Sequence, residues 1–138
     1  MLAAITWMWV AMVVAVVWKM AYGSALYARP VMGDRWASWV GLDMARVARS
    51  DAMKGLVWAI AWSVVGVLCF DAVWSWTGGS GASDGLMVGL LAGIGLAGTG
   101  AAVHPPFEQR PMPLMWFYFA YHVVEWVGVG LIFGLIGR

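Results

Sequence analysis

Residues 112–136 read MPLMWFYFAYHVVEWVGVGLIFGLI, an apolar run broken by a single imidazole and a single carboxylate. Crossing a hydrocarbon core of roughly 30 Å takes about 20 such residues, so this stretch is read as a transmembrane helix. Within it, Tyr118-Phe-Ala-Tyr-His-Val-Val-Glu-Trp126 places His122 and Glu125 three residues apart, on one helical face. At about 1.5 Å per residue, His122 lies roughly 15 Å beyond Met112 and Glu125 roughly 20 Å, both in the middle of the core. An isolated charge there costs a few kcal/mol. The expected forms are therefore a neutral His with a protonated Glu, or a hydrogen-bonded pair facing the bundle interior.

The remainder of the 138-residue chain repeats this pattern. Hydrophobic residues make up 63% of the sequence and charged ones 11%, against about 45–50% and about 25% in soluble domains. Mean hydropathy is +0.81. A formal net charge of +1 supplies no field to recruit nucleic acid, and the single cysteine, Cys69, excludes an intrachain disulfide. Lying in an apolar run, Cys69 reads as a small buried hydrophobe. The N-terminal run has no basic segment ahead of it and is longer than a signal-peptide core, so it is expected to be a retained helix.

Taken outward from residue 112, the chain divides into one membrane domain with spans near residues 2–27, 52–76, 85–103 and 112–136. The first has Trp7 and Trp9 at one end and Trp18 and Tyr22 at the other, as interfacial aromatics do. Lys19 has two readings there: its stem snorkels to the headgroups, or it pairs with a buried carboxylate. Between the first two spans, Trp36, Trp39, Val40, Asp43 and Val47 follow i, i+3, i+4 spacing, which predicts a short interfacial amphipathic helix. Ser50 or Asp51 is the expected cap of the second span, and Ser83 or Asp84 of the third. Asp71, in the last turns of the second span, reads as hydrated near the interface. Gly85, Gly89 and Gly93, continued by Ala97, form a small-residue stripe against which another helix, of this chain or of another subunit, packs closely. The connection His104-Pro-Pro-Phe-Glu-Gln-Arg-Pro-Met-Pro113 has four prolines in ten residues and is expected to stop the helix and reverse the chain. Its polar groups are His104, Glu108 and Arg110, with a Glu108 contact to Arg110 or Lys19 as candidates.

Arg29, Arg35, Arg46, Arg49, Lys54 and Arg110 fall in the first and third connections, so those sides are expected in the cytoplasm and both termini outside. For the His122/Glu125 pair the leading reading is a polar clamp hydrogen-bonded to Ser63, Thr99 or backbone. The competing reading is a proton or substrate pathway in a small homo-oligomer. Single-histidine ligation of a haem or pigment comes third, because His104 is some 15 Å too shallow to provide a second axial nitrogen. No HExxH, GxSxG or Cys/His metal set accompanies the pair, so neither catalytic residues nor a metal site is expected. No cofactor is required by the sequence; a haem, a pigment or a quinone is left open.

Asp84-Gly-Leu-Met-Val-Gly-Leu-Leu, Phe107-Glu-Gln-Arg-Pro and Ala120-Tyr-His-Val-Val resemble the second half of a bacterial membrane family called domain of unknown function 1761. Trp18 to Tyr22, Leu26-Tyr, Gly33-Asp-Arg-Trp36 and Val40-Gly-Leu resemble its opening pattern, with the aromatic pair split and the usual proline displaced to Pro30. Tyr121-His122 matches the family's fourth helix, while Glu125 has no counterpart in its pattern. The resemblance implies a four-helix integral membrane protein and brings no activity, ligand or site. The expected object is an all-α bundle of four membrane-spanning helices in a bacterial inner membrane. Its expected partners are the lipid bilayer and other membrane subunits or its own copies, in an accessory, non-enzymatic role.

Overall fold

The computed structural model describes residues 2–137 and is all-helical over them. Four helices are long and apolar enough to span a membrane. Helix α1 is Leu2–Leu26, α3 is Arg49–Thr77 and α6 is Met112–Ile136. The third span, Gly81–Phe107, is built from α4 (Gly81–Leu90), a π-helical stretch (Leu91–Gly98) and α5 (Thr99–Phe107). Trp7 and Arg138 lie outside the described side chains.

The first connection departs from the predicted amphipathic helix. A π-turn at Arg29–Gly33 leads into α2, Asp34–Val40, which ends at Gly41 in the left-handed conformation (φ 73°). That reversal needs a residue without a Cβ, and it leaves Asp43 and Val47 outside any helix. Asp43 instead accepts from the Ala45 N–H at 3.0 Å and pairs with Arg46 at 3.1 Å. The caps also move. Helix α3 starts after Ala48 without a side-chain cap, and α4 starts after Ser80, whose N–H donates to the Asp84 carboxylate at 2.9 Å. Four residues past the cap, Asp84 places negative charge on the positive end of the helix dipole.

Pro105 and Pro106 do not stop the third span; they are carried in the last turn of α5. There each ring deprives only one carbonyl, a turn earlier, of its partner. The helix ends in a Schellman arrangement instead: the Arg110 N–H donates to the Pro105 carbonyl at 2.8 Å and Gln109 N–H to that of Pro106 at 3.1 Å. Gln109 sits at φ 55°, the one non-glycine residue of the described chain with positive φ. Since glycine adopts that conformation without Cβ strain, Gln109→Gly is expected to raise stability by about 0.5–1 kcal/mol, read as a higher midpoint in a thermal melt in detergent.

Helix α6 is the centre of the bundle. It packs on α1, on all three parts of the third span and, through aromatic rings, on α3. Ala11 and Ala15 of α1, Val67, Phe70 and Trp74 of α3, and Val129 and Phe133 of α6 form its core. Against α1 the register is antiparallel: Met8 lies beside Gly137, Trp18 beside Gly128 and Tyr22 against Tyr121. Against the third span, Gly85, Gly89 and Gly93 lie on the backbone of Gly130, Trp126 and Val123 respectively. The stripe thus meets a helix of its own chain. Ala97 does not continue it; Gly98 does, against Phe119. The π-helix closes its turns over five residues rather than four, which shifts the contact from position 97 to 98.

Candidate functional site

Glu125 is 5% exposed, and three side chains of the same chain converge on its carboxylate. Lys19 Nζ lies 2.9 Å from Oε1, with both side chains nearly fully enclosed. The Tyr121 hydroxyl donates to the same oxygen at 3.3 Å, and His122 Nδ1 lies 3.1 Å from Oε2. One turn of α6 thus places Tyr121, His122 and Glu125 together, and the antiparallel α1 brings Lys19 to their level. The Trp18 indole donates to the Glu125 backbone carbonyl at 3.0 Å. Gly128 leaves room for that ring: a Cβ there would overlap the indole. Lys19 Nζ also lies 4.2 Å from the centroid of the Trp126 ring, a cation–π contact. Lys19 and Tyr121 both meet Oε1, and Oε2 lies against the His122 imidazole, so cation, carboxylate and imidazole form one connected set.

Aromatic rings cover this set on the side of the basic connections. Tyr22 stacks on Trp18 and on Tyr121, each at 5.2 Å, and Tyr27 meets Tyr121, Phe117 and Trp36 edge-on at 5.2–5.5 Å. The Trp36 indole donates to the Tyr118 hydroxyl at 3.2 Å, fastening α2 to α6. Arg110 adds a second fastening by donating to the Val40 carbonyl at 2.7 Å, so the first and third connections lie at the same end of the bundle.

Residues 10–134 match the family model described as Protein of unknown function (DUF1761). The chain belongs to that family. Neither the curated proteins nor the solved structures compared with it gave a match.

In this DUF1761 chain, the structure brings three sequence candidates together, Lys19, His122 and Glu125, and leaves the others apart. Lys19 points inward to the carboxylate and does not snorkel. Neither of the two side chains expected to bond the pair reaches it: Ser63 Oγ contacts Met20 Sδ, and the Thr99 hydroxyl donates to the Gly95 carbonyl of its own helix. Asp71 is half-exposed, yet its Oδ1 is enclosed without a partner. His104 is exposed on α5, Glu108 pairs with Arg110 at 3.7 Å, and Cys69 is exposed rather than buried. No group of three or more His, Cys, Asp or Glu suited to a metal is present among the described residues. Sequence reasoning missed Tyr121 and Trp126 as partners of the cluster and placed Trp18 at the interface. The available signal was the pairing of bulky and small positions, Trp18 with Gly128 and Tyr121 with Gly23, which only the helix register reveals.

Proposed function

We propose that this chain is a small, non-catalytic subunit of the bacterial inner membrane that packs laterally against a larger membrane complex or its own copies. The observation that carries this reading is the closure of the Glu125 cluster within one chain. Its donors come from α1 and α6 alone, so the charges serve as a lock between these helices. The basic first and third connections share one end, which the positive-inside tendency puts in the cytoplasm, with both termini outside. Helix α3 supplies the lateral surface: only Ser63, Val67, Phe70 and Trp74 of it are buried, while Val57, Trp58, Trp62, Leu68 and Trp76 face outward. Native mass spectrometry from mild detergent tests the reading. A homo-oligomer or co-migration with a larger complex is expected, and a stable lone monomer overturns it.

A second reading rests on His122, whose side chain is 30% exposed while Lys19 and Glu125 are enclosed. An imidazole open on one side of a buried ion pair is a place for a proton to enter a small oligomeric transporter. Proton flux into liposomes, abolished by Glu125→Gln, supports this reading; flux at the level of empty liposomes ends it.

A further inference from the structure

Asp71 Oδ1 is the one enclosed side-chain nitrogen or oxygen among the described residues that has no hydrogen-bond partner. The other charged groups deep in the spans, Lys19 and Glu125, answer each other within the chain. Trp76, exposed at the end of α3, marks the headgroup level, and Asp71 lies five residues before it, roughly 7–8 Å further in. Hydrocarbon offers that carboxyl no donor, and ionisable residues of membrane helices face a protein interior or pair with one another. The side chain is half-exposed, so a neighbouring helix can reach it.

The flank of α3 that carries Asp71 has the pattern of a helix pair. Val57, Ala61, Val64, Leu68, Asp71 and Ser75 follow alternating steps of four and three residues, the spacing of a left-handed coiled-coil seam. This seam lies about a third of a turn round from the buried line Ser63, Val67, Phe70 and Trp74, and apart from the half-exposed Asp71 all its members are exposed. Trp58, Trp62 and Trp76 are all off the seam, about a third of a turn further on. Small and medium side chains are thus gathered on one flank, where backbones can approach closely, and the bulky indoles on another.

We infer that this seam pairs, in parallel, with the same seam of a second copy of the chain, Asp71 of each copy accepting from the Ser75 hydroxyl of the other. Copies inserted in one orientation hold Asp71 and Ser75 at one depth. In a parallel seam each such position packs against the partner's seam residue four further along, which for Asp71 is Ser75. The twofold axis makes both bonds at once, and a polar position in an otherwise apolar seam fixes its register. A second copy is the partner whose donor at that depth is supplied by the same helix. The inference rests on the lateral-packing reading and names its partner and surface.

The test uses the full chain in membranes of expressing cells, with copper phenanthroline as oxidant. Val64→Cys and Leu68→Cys, each combined with Cys69→Ser, are expected to give a disulfide-linked dimer. The native Cys69, which is exposed on the groove side of α3, and Trp62→Cys combined with Cys69→Ser are expected to stay monomeric on the gel. In a dilution series in mild detergent, read by native mass spectrometry, Asp71→Leu is expected to raise the dimer Kd by about tenfold, and circular dichroism verifies its fold. Equal linking on and off the seam, or an unchanged Kd in Asp71→Leu, overturns the pairing. Association with a larger complex without links along the seam overturns the pairing alone and leaves lateral packing standing, whereas a lone monomer overturns both. The cysteine pattern keeps Asp71 and Ser75 intact, so it decides independently of the Asp71 variant.

Discussion

Glu125→Leu is expected to destabilise the bundle by about 3–5 kcal/mol, and Lys19→Met by a similar amount, whereas the double variant regains most of the loss. The reason lies in what each single change leaves behind. Without Glu125, the Lys19 ammonium, 2.9 Å from its partner and 7% exposed, remains inside the bundle with no anion, and Tyr121 and His122 lose their acceptor. Without Lys19, the carboxylate keeps only its contacts with Tyr121 and His122. Removing both charges takes away the attraction together with its desolvation cost, and two apolar side chains of similar volume refill the space. Unfolding by a graded increase of denaturing detergent, followed by circular dichroism, measures the four proteins of the cycle. A coupling energy near zero would show that Lys19 and Glu125 do not meet. The Trp18 bond goes to the Glu125 backbone carbonyl, and the Lys19–Trp126 contact is lost in Lys19→Met and in the double variant alike, so both cancel and the cycle isolates the Lys19–Glu125 term.

The four spans were legible because hydrocarbon imposes one rule on every stretch of chain, a long apolar helix. Span four was read at the boundaries it has, Met112–Ile136. The functional centre was half legible. His122 and Glu125 stand out as ionisable residues at mid-membrane, and their i, i+3 spacing fixes that they meet. For Lys19 the sequence leaves two readings, snorkelling or pairing with a buried carboxylate, since its position relative to Glu125 depends on the sliding register of α1 against α6, and nothing in either helix alone states that register. The misread positions share a cause. Pro105, Asp43 and Ala97 were assigned by local rules for helix breaking and periodicity. In the fold, a Schellman end, a left-handed Gly41 and a π-helical phase shift override those rules. Two of these are helix ends and the third is a one-residue change in helical phase, and composition encodes neither.

The same glycine-to-alanine change is expected to act with opposite sign at different places on these helices. At Gly130 a Cβ would fall well inside contact distance of the Gly85 carbonyl oxygen and 2.9 Å from the Gly89 Cα. Both neighbours are backbone, so no rotamer change relieves the overlap; α6 and the third span must separate. Close approach is the whole basis of their association in lipid, where no hydrophobic force holds helices together. Gly130→Ala is therefore expected to cost more than about 3 kcal/mol, above the usual range of overpacking a side-chain core, and to yield heterogeneous protein on size-exclusion chromatography. At Gly55 in α3 and Gly100 in α5 a Cβ meets nothing within 4 Å. There alanine gains only helix propensity, about 1 kcal/mol per site, and the melting midpoint should rise. Were Gly130→Ala as harmless as Gly100→Ala, the contact between α6 and the third span would not be a backbone contact, and the bundle would be packed in another register.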